Sequence, residues 1–475
     1  MPCSLTIALD QGGHASRAIA FDTAGREVAQ AFAPINTHRS GEDRVEHDAI
    51  EIVASSRRAL DELEQKLGPD AERVVSAGLA TQRSSMVCWD GVTGAPLSPV
   101  LSWQDRRNAA FIDTLQSHTA MIQRTTGLVL SPHYGASKMR WCLEHIDAVR
   151  IAEREQRLRI GPLATYLMRS LLLERPELVD PANASRTLLW DPATGDWSPT
   201  LLQVFGIPAT LLPRCVPNKH AFGHLPFGKH TIPLGVCTGD QNAAVFAEGN
   251  IASDTAHLNV GTGAFLLATT AEDPVDAAPL LRSVLWSQPH QPRYALEGTV
   301  NGAGSALDWF AQHARIDAHT TARNLTQNAN DAAVPIFVNG VSGVGSPFWR
   351  PQQRSYFADG DASGELGVAA ILESIAFLLT ENFRLLRMHI TPLLQIRATG
   401  GLTEADYLCA CIAAVCNVPV ERSRQREATA RGLAYLCADM PGTWPRADTE
   451  TFVPKTTPAL TARYARWREL MAIDS

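Results

Sequence analysis

Leu5-Thr6-Ile7-Ala8-Leu9-Asp10-Gln11-Gly12-Gly13 decides the fold: an apolar strand runs into an aspartate, and the aspartate opens a glycine turn. The chain continues through Ser16-Arg17 into a second strand, Ala18 to Phe21. The same corner returns at Pro233-Leu234-Gly235-Val236-Cys237-Thr238-Gly239-Asp240-Gln241. A carboxylate at a strand end beside flexible backbone suits a site for phosphate and Mg²⁺. Glycines let backbone N–H groups approach an anion, and the carboxylate binds the metal or accepts a proton. Two such corners, far apart in sequence, predict two lobes facing one cleft, the layout of a nucleotide-dependent phosphotransferase.

Bulk properties agree. A chain of 475 residues is too long for one core and predicts two domains. Hydrophobic residues at 45% and charged residues at 19% are ordinary for a globular enzyme. A net charge of −7, with no Lys/Arg cluster, argues against a nucleic-acid surface. The nine cysteines are scattered without metal spacing and read as buried hydrophobes in a reducing compartment. No basic-then-apolar leader opens the chain, and no apolar run approaches the roughly 20 residues that span a bilayer. The expectation is a cytoplasmic protein with no membrane partner.

Leu5–Leu9, Ala18–Phe21 and Glu27–Phe32 read as paired strands. Asp48 reads as the N-cap of a helix to Leu67, with Ile50, Val53, Leu60 and Leu63 on its inner face. Strands follow at Val74–Ala80, Met86–Trp89 and Val100–Trp103. Residues 110–230 read as mainly helical with proline breaks. A second domain is expected from residue 247, with strand His257–Val260, turn Gly261-Thr262-Gly263 and strand Ala264–Thr269. An amphipathic helix over Glu373–Met388, a strand over Gln395–Ala398, and helices over Ala405–Val415 and Glu427–Ala438 complete it.

Read in order, the motifs resemble those of the FGGY family of carbohydrate kinases, nearest to its glycerol kinases. They include Ala8-Leu9-Asp10-Gln11-Gly12, Arg44-Val45-Glu46-His47-Asp48, Thr81-Gln82-Arg83 and Ser102-Trp103-Gln104-Asp105-Arg106-Arg107. Asn183-Ala184-Ser185-Arg186-Thr187, Gly239-Asp240-Gln241, Gly261-Thr262-Gly263, Gly343-Val344-Gly345-Ser346-Pro347-Phe348-Trp349 and Thr399-Gly400-Gly401 follow. The resemblance implies an α/β, two-domain actin/hexokinase-like (ribonuclease H-like) fold with an interdomain cleft. It implies an N-terminal domain over 1–246 that binds the sugar or polyol and carries the catalytic aspartate, and a nucleotide-binding domain over 247–475. It also implies transfer of the ATP γ-phosphoryl group to a hydroxyl of a small sugar or polyol, with Mg²⁺. Relatives of this kind form dimers and tetramers, so a homodimer or homotetramer is the corresponding expectation.

The resemblance also assigns residues. Asp240 matches the catalytic base, which accepts the hydroxyl proton late in the step. The start of a helix at Asn242 is expected to keep it ionised. Gln241 matches a residue that orients the acceptor, and Asp10 the metal-proximal aspartate. Arg17 matches an arginine near the transferred phosphate. Arg83 and Trp103 match acceptor contacts. Gly12, Gly261, Thr262, Gly304, Asp308, Gly400 and Gly401 match nucleotide contacts.

The departures are informative. Gly13-His14-Ala15 replaces two threonines and a serine that follow Asp-Gln-Gly in the glycerol kinases. His14 then offers a ring N–H to phosphate. Ser84 replaces a glutamate, and His133 a tyrosine unless Tyr134 has taken that place. Ala405 and Asp406 replace asparagines near the base, and Arg350 replaces an aspartate. A pocket that has lost a carboxylate and a phenol predicts that glycerol is not the best acceptor and that a longer polyol or ketose is. A second reading is a catalytically impaired homologue that binds a sugar or nucleotide as a sensor.

Overall fold

The computed structural model describes residues 4–473 apart from 42, 275, 289–290, 327–333, 361, 426 and 443. Contacts divide the chain into two units. The first comprises Met1–Ile251, Ser283–Tyr294 and Glu427–Arg446; the second comprises Ala252–Arg282, Ala295–Arg426 and Ala447–Ser475.

The first unit is built on a six-stranded sheet. Its order is Lys219–Phe227, His230–Gly239, Val74–Thr81, Leu5–Gln11, Ala15–Asp22, Glu27–Pro34. The three middle strands are parallel to one another and end level: Gln11 and Gly239 both pair with Thr81. Parallel strands covered on both faces read as continuous apolar runs, and Leu5, Ile7, Leu9, Leu79 and Cys237 are buried. The level ends bring Asp10 and Asp240 to one edge of one sheet. The two corners therefore do not mark two lobes; both belong to the first unit.

The helix Ala49–Leu67 packs on this sheet. Asp48 caps it, accepting from the N–H groups of Ile50 (2.7 Å) and Glu51 (3.3 Å). Its inner face runs through Ile52, Ser55, Ser56, Ala59, Leu60, Leu63 and Leu67, while Ile50 points to solvent. The apolar spacing misplaced that face because serines fill part of it. The hydroxyl of Ser16 meets those of Ser55 and Ser56 at 2.8 and 3.1 Å, a polar contact buried between strand and helix.

A five-stranded sheet adjoins in sequence, ordered His38–Ser40, Arg44–His47, Val100–Leu101, Met86–Asp90, Leu158–Pro162. The strand expected to reach Trp103 stops at Leu101, because the Trp103 N–H turns to the Ser85 hydroxyl (2.9 Å). The stretch expected to be mainly helical also holds the strands Leu158–Pro162 and Lys219–Phe227.

Late in the chain, the helix Ala428–Cys437 returns to the first unit and contacts its middle strands. Arg431 secures it. The guanidinium is buried and donates to the carbonyls of Ala247 (2.6 Å), Gly25 (3.0 Å) and Pro445, with the Trp444 ring beneath it. Three carbonyl partners satisfy a charge that burial would otherwise penalise.

The second unit has a seven-stranded sheet. Thr255–Val260 runs antiparallel to Ala264–Thr270 and parallel to Gln395–Thr399, with Asn259 opposite Thr399. Two glycine turns thus leave neighbouring strand ends, as in the first unit. The helix Gly364–His389 crosses the core. It starts earlier than expected and is buried all round from Gly367 to Phe383 except for no single solvent stripe, so it is a core helix and not an amphipathic one. It is apolar and long enough to cross a membrane, but 94% of its apolar window is buried inside the unit. Arg350 has a structural use: it donates to the Met471 carbonyl (2.8 Å) at the end of the helix Pro458–Leu470.

Gly432 tests the seating of the returning helix. A Cβ there would lie 1.8 Å from the Ala243 carbonyl oxygen, in the short helix that carries Asp240. Gly432→Ala should lower stability by about 3 kcal/mol and reduce turnover, read by denaturant unfolding and ADP release. An unchanged unfolding midpoint would show that the two helices are not packed this closely.

Candidate active site

Asp10 sits one residue before the end of its strand, nearly inaccessible at 4% exposure. Its Oδ2 receives Arg17 Nη1 at 3.4 Å, while its Oδ1 has no hydrogen-bond partner among the described residues. Burial pushes its carboxyl up to about 7, and the charge of Asp240 adds to the rise; Arg17 opposes it. A buried carboxylate with one open oxygen and a second carboxylate nearby fits a divalent cation, since Mg²⁺ is held by one or two carboxylates plus water and phosphate. Among the described residues no group of three or more His, Cys, Asp and Glu forms an all-protein metal cage.

Asp240 opens a five-residue helix, Asp240–Ala244, whose N-cap is Gly239. Its Oδ1 accepts the Gln241 N–H at 2.7 Å. The expectation that the helix start keeps it ionised fails in balance: burial raises its carboxyl above the usual range, against Arg83, the Gln241 N–H and Arg186. Such a carboxyl accepts a proton more readily than an ordinary one.

Arg17 spans two acids, Asp10 and Glu427, the latter at 3.7 Å from its Nε, and lies over the Phe32 ring. Glu427 was legible in the sequence only as the start of a helix. The turn after Asp10 is held by the Gly12 N–H donating to the Ala15 carbonyl (3.0 Å) and by Gln11 Nε2 donating to the Gly12 carbonyl (2.7 Å). His14 is exposed, and its carbonyl accepts the Ile35 N–H at 3.0 Å. A Cβ on Gly13 would stand 3.9 Å from Trp103 Nε1, which puts the turn beside that indole.

Arg83 donates to Asn242 Oδ1 (3.0 Å) and to Gln241 Oε1, so two residues after Asp240 hold its fork. A Cβ on Gly239 would meet Arg83 Cδ at 2.5 Å; glycine leaves the path for that side chain. Asn242 is fixed in turn, donating to the carbonyls of Val284 and Leu285 at 3.0 Å each. His133 faces Trp103 with ring centres 5.8 Å apart, and Tyr134 lies buried behind it, so the histidine and not the tyrosine stands at the indole.

Ser84 is buried with φ +63°, a strained backbone for a serine. The residue that holds it went unnoticed in the sequence. Lys138, 1% exposed, donates from Nζ to the carbonyls of Ser84 (2.8 Å) and His133 (2.6 Å). Burial brings its amine down to about 7. Burial likewise holds the His133 imidazole well below its usual range, and Lys138, Arg186, Arg83 and Arg106 all add to that effect.

The second unit has a cavity of about 300 Å³ lined by Gly261, Thr262, Gly304, Asp308 and Gly401, together with Ala405. His319 and Arg323, from the helix Ala318–Asn324, complete its wall. Neither was singled out in the sequence. His319 Nε2 meets Asp308 Oδ1 at 2.7 Å, which offsets a carboxylate that would otherwise oppose phosphate. Gly400 is not on the wall; its glycine is needed because φ is +96° and a Cβ would lie 2.5 Å from the Val260 carbonyl. Asp406 turns away to Arg422 at 2.8 Å.

Comparison with known proteins follows this geometry. The model of the FGGY family of carbohydrate kinases, N-terminal domain, matches residues 5–247, and that of the C-terminal domain matches 256–439. A glycerol kinase of Thermus brockianus is 34% identical over 97% of this chain and 97% of its own. A crystal structure of Plasmodium falciparum glycerol kinase with ADP superposes with a TM-score of 0.88 at 24% identity, covering 99% of this chain and 98% of that one. A xylulose kinase of Brucella ovis superposes with a TM-score of 0.87 at 21% identity, covering 99% of this chain and 100% of that one. The fold and its two strand-end sites are those of a sugar or polyol kinase, a phosphotransferase with an alcohol group as acceptor. The chain belongs to the FGGY family of carbohydrate kinases. The impaired-sensor reading finds no support in these matches.

Asp10 gives a signed pH test. Its folded-state pKa is raised, so the stability it contributes is full below about 4 and is lost as pH rises through about 7. Asp10→Asn should therefore melt several degrees above the parent at pH 8 without ligands, each pKa unit being about 1.4 kcal/mol, and the gap should shrink towards pH 4. A parent that melts higher than the variant at pH 8 would contradict the burial argument.

Proposed function

We propose that this chain transfers the γ-phosphoryl group of ATP to a hydroxyl of a polyol or sugar longer than glycerol, with Asp240 as the base. The observation that carries the reading is the level end of three parallel strands, which sets Asp10 beside Asp240 with Arg17 and Arg83 on the same edge. The first unit supplies the acceptor contacts, and the cavity of the second unit supplies the nucleotide contacts.

In this reading Arg83 offers its remaining donors to neighbouring hydroxyls, and Trp103 covers the carbon face. Gln241 acts through Arg83, since its Oε1 is already engaged there. Asp240 receives the hydroxyl proton as the oxygen bonds to phosphorus. Arg17 moves charge onto the transferring group. Mg²⁺ held at Asp10, through water, would neutralise triphosphate charge. Backbone N–H groups at Gly12, Gly13, Gly261 and Thr262 receive phosphate oxygens, and His14 stands exposed at the first of these turns. Gly304, Asp308 and Gly401 line the nucleoside end. Supply of ATP places the reaction in the cytoplasm.

Asp240→Asn should lower kcat by about 10³-fold while ATP binding, followed by calorimetry, stays within a factor of two or so of the parent. Turnover near the parental rate would remove Asp240 from its role. Ser84 and His133 predict that glycerol is outperformed in an ADP-release assay across polyols and ketoses. Glycerol giving the highest kcat/KM would overturn that part of the reading.

A further inference from the structure

The acceptor side of the first unit is strongly cationic in a chain whose net charge is −7. Four cations act on the His133 ring: Lys138, Arg186, Arg83 and Arg106. They come from four separate segments. Lys138 lies on the helix Gly135–His145, and Arg83 lies just past the strand Val74–Thr81. Arg106 follows Trp103 in the loop. The Arg186 carbonyl accepts the Gly135 N–H at 3.1 Å, which packs its segment against the start of the lysine helix. The carboxylates nearby are few. Asp105 and Glu46 are taken by Arg107, which makes bidentate contact with Asp105 at 2.6–3.0 Å and meets Glu46 at 2.6 Å. Asp240 is the remaining acid, and a serine occupies position 84.

Like charges gathered away from water are costly unless an opposite charge joins them. Asp240 feels Arg83 and Arg186, while Arg106 bears on His133. Arg106 makes no side-chain hydrogen bond or ion pair among the described residues. The pocket is therefore polarised: a base at one end, and a guanidinium without a protein anion at the other. Guanidinium recognises carboxylate by paired N–H donors in one plane.

We propose that the acceptor is an anionic polyhydroxy compound, a sugar acid, with its carboxylate at Arg106 beside His133 and its reacting hydroxyl at Asp240. This rests on the kinase reading for the reacting end only. A phosphate ester shares the anionic chemistry, and a phosphate-bearing arm separates the two sources. His133, held neutral, donates or accepts one hydrogen bond without adding charge. Lys138 fixes the carbonyls of Ser84 and His133 from behind and acts by positioning.

The test compares D-xylonate with xylitol, and sn-glycerol 3-phosphate with glycerol, on the full chain. Calorimetric titration without nucleotide reads binding, and ADP release with MgATP reads turnover. D-xylonate should bind at least about tenfold more tightly than xylitol, and the difference should shrink as salt screens it. Arg106→Gln should lower the acid-over-polyol preference about tenfold; the side chain is exposed, so the fold should survive. Preference for glycerol 3-phosphate over glycerol, with D-xylonate no better than xylitol, would assign the anion to a phosphate ester. Xylitol and glycerol binding as well as both anions, or an unchanged preference in Arg106→Gln, would overturn the inference. Binding of D-xylonate without ADP release would keep this inference and defeat the kinase reading; release of ADP with neutral polyols alone would do the reverse.

Discussion

The register of three parallel strands governs the first unit. Gln11, Thr81 and Gly239 end level, and everything chemical there follows from what the chain does in the next few residues. One strand delivers Asp10 and the glycine turn, the second delivers Arg83, and the third delivers Asp240. Because all three run the same way, their carboxyl ends share one edge, the place where open α/β sheets bind ligands. A slip of one residue in any of them would turn its side chains to the other face. The electrostatics inherit this geometry: two acids brought to one dry edge raise the cost of ionising both, and Arg17 and Arg83 offset only part of it.

Glycine serves this edge in different ways. Gly239 leaves room for the arginine of the adjacent strand, whereas Gly13 opens towards Trp103 without strain in its backbone. In the second unit, Gly400 accommodates a left-handed turn against Val260, and Gly401 faces open space at the cavity. Adjacent glycines thus answer to separate constraints, one steric and one concerned with access. Ser84 adopts a similar left-handed backbone without being glycine, and the buried ammonium of Lys138 binds its carbonyl. That contact gives a physical reason for the strained residue to persist.

Much of this was legible in the sequence. Strand-then-aspartate-then-glycine is local, and local patterns report local structure; the Asp48 cap is another such case. What escaped depended on long-range packing. The helix face through Ile52 and Ser55 was missed because buried serines pair with Ser16 across the sheet, which no periodicity reveals. The long helix looked amphipathic over Glu373–Met388, yet its polar residues find partners inside: Glu373 meets Tyr407 and Arg463, and Asn382 meets Ser346. Lys138, His319 and Arg323 carry no motif of their own. Each matters through a partner distant in sequence, as Lys138 does through Ser84.

The helix Ala428–Cys437 belongs with strands made more than four-fifths of a chain earlier, and Arg431 closes on the carbonyl of Gly25. During translation the first unit must therefore wait, its central strands uncovered, until the ribosome has passed the whole of the sequence that separates them. Domains that fold vectorially are complete when their own stretch emerges; this one is not. Its nascent form is a natural client for chaperones, and a gene cut between the halves would yield neither a finished nor a soluble first fragment.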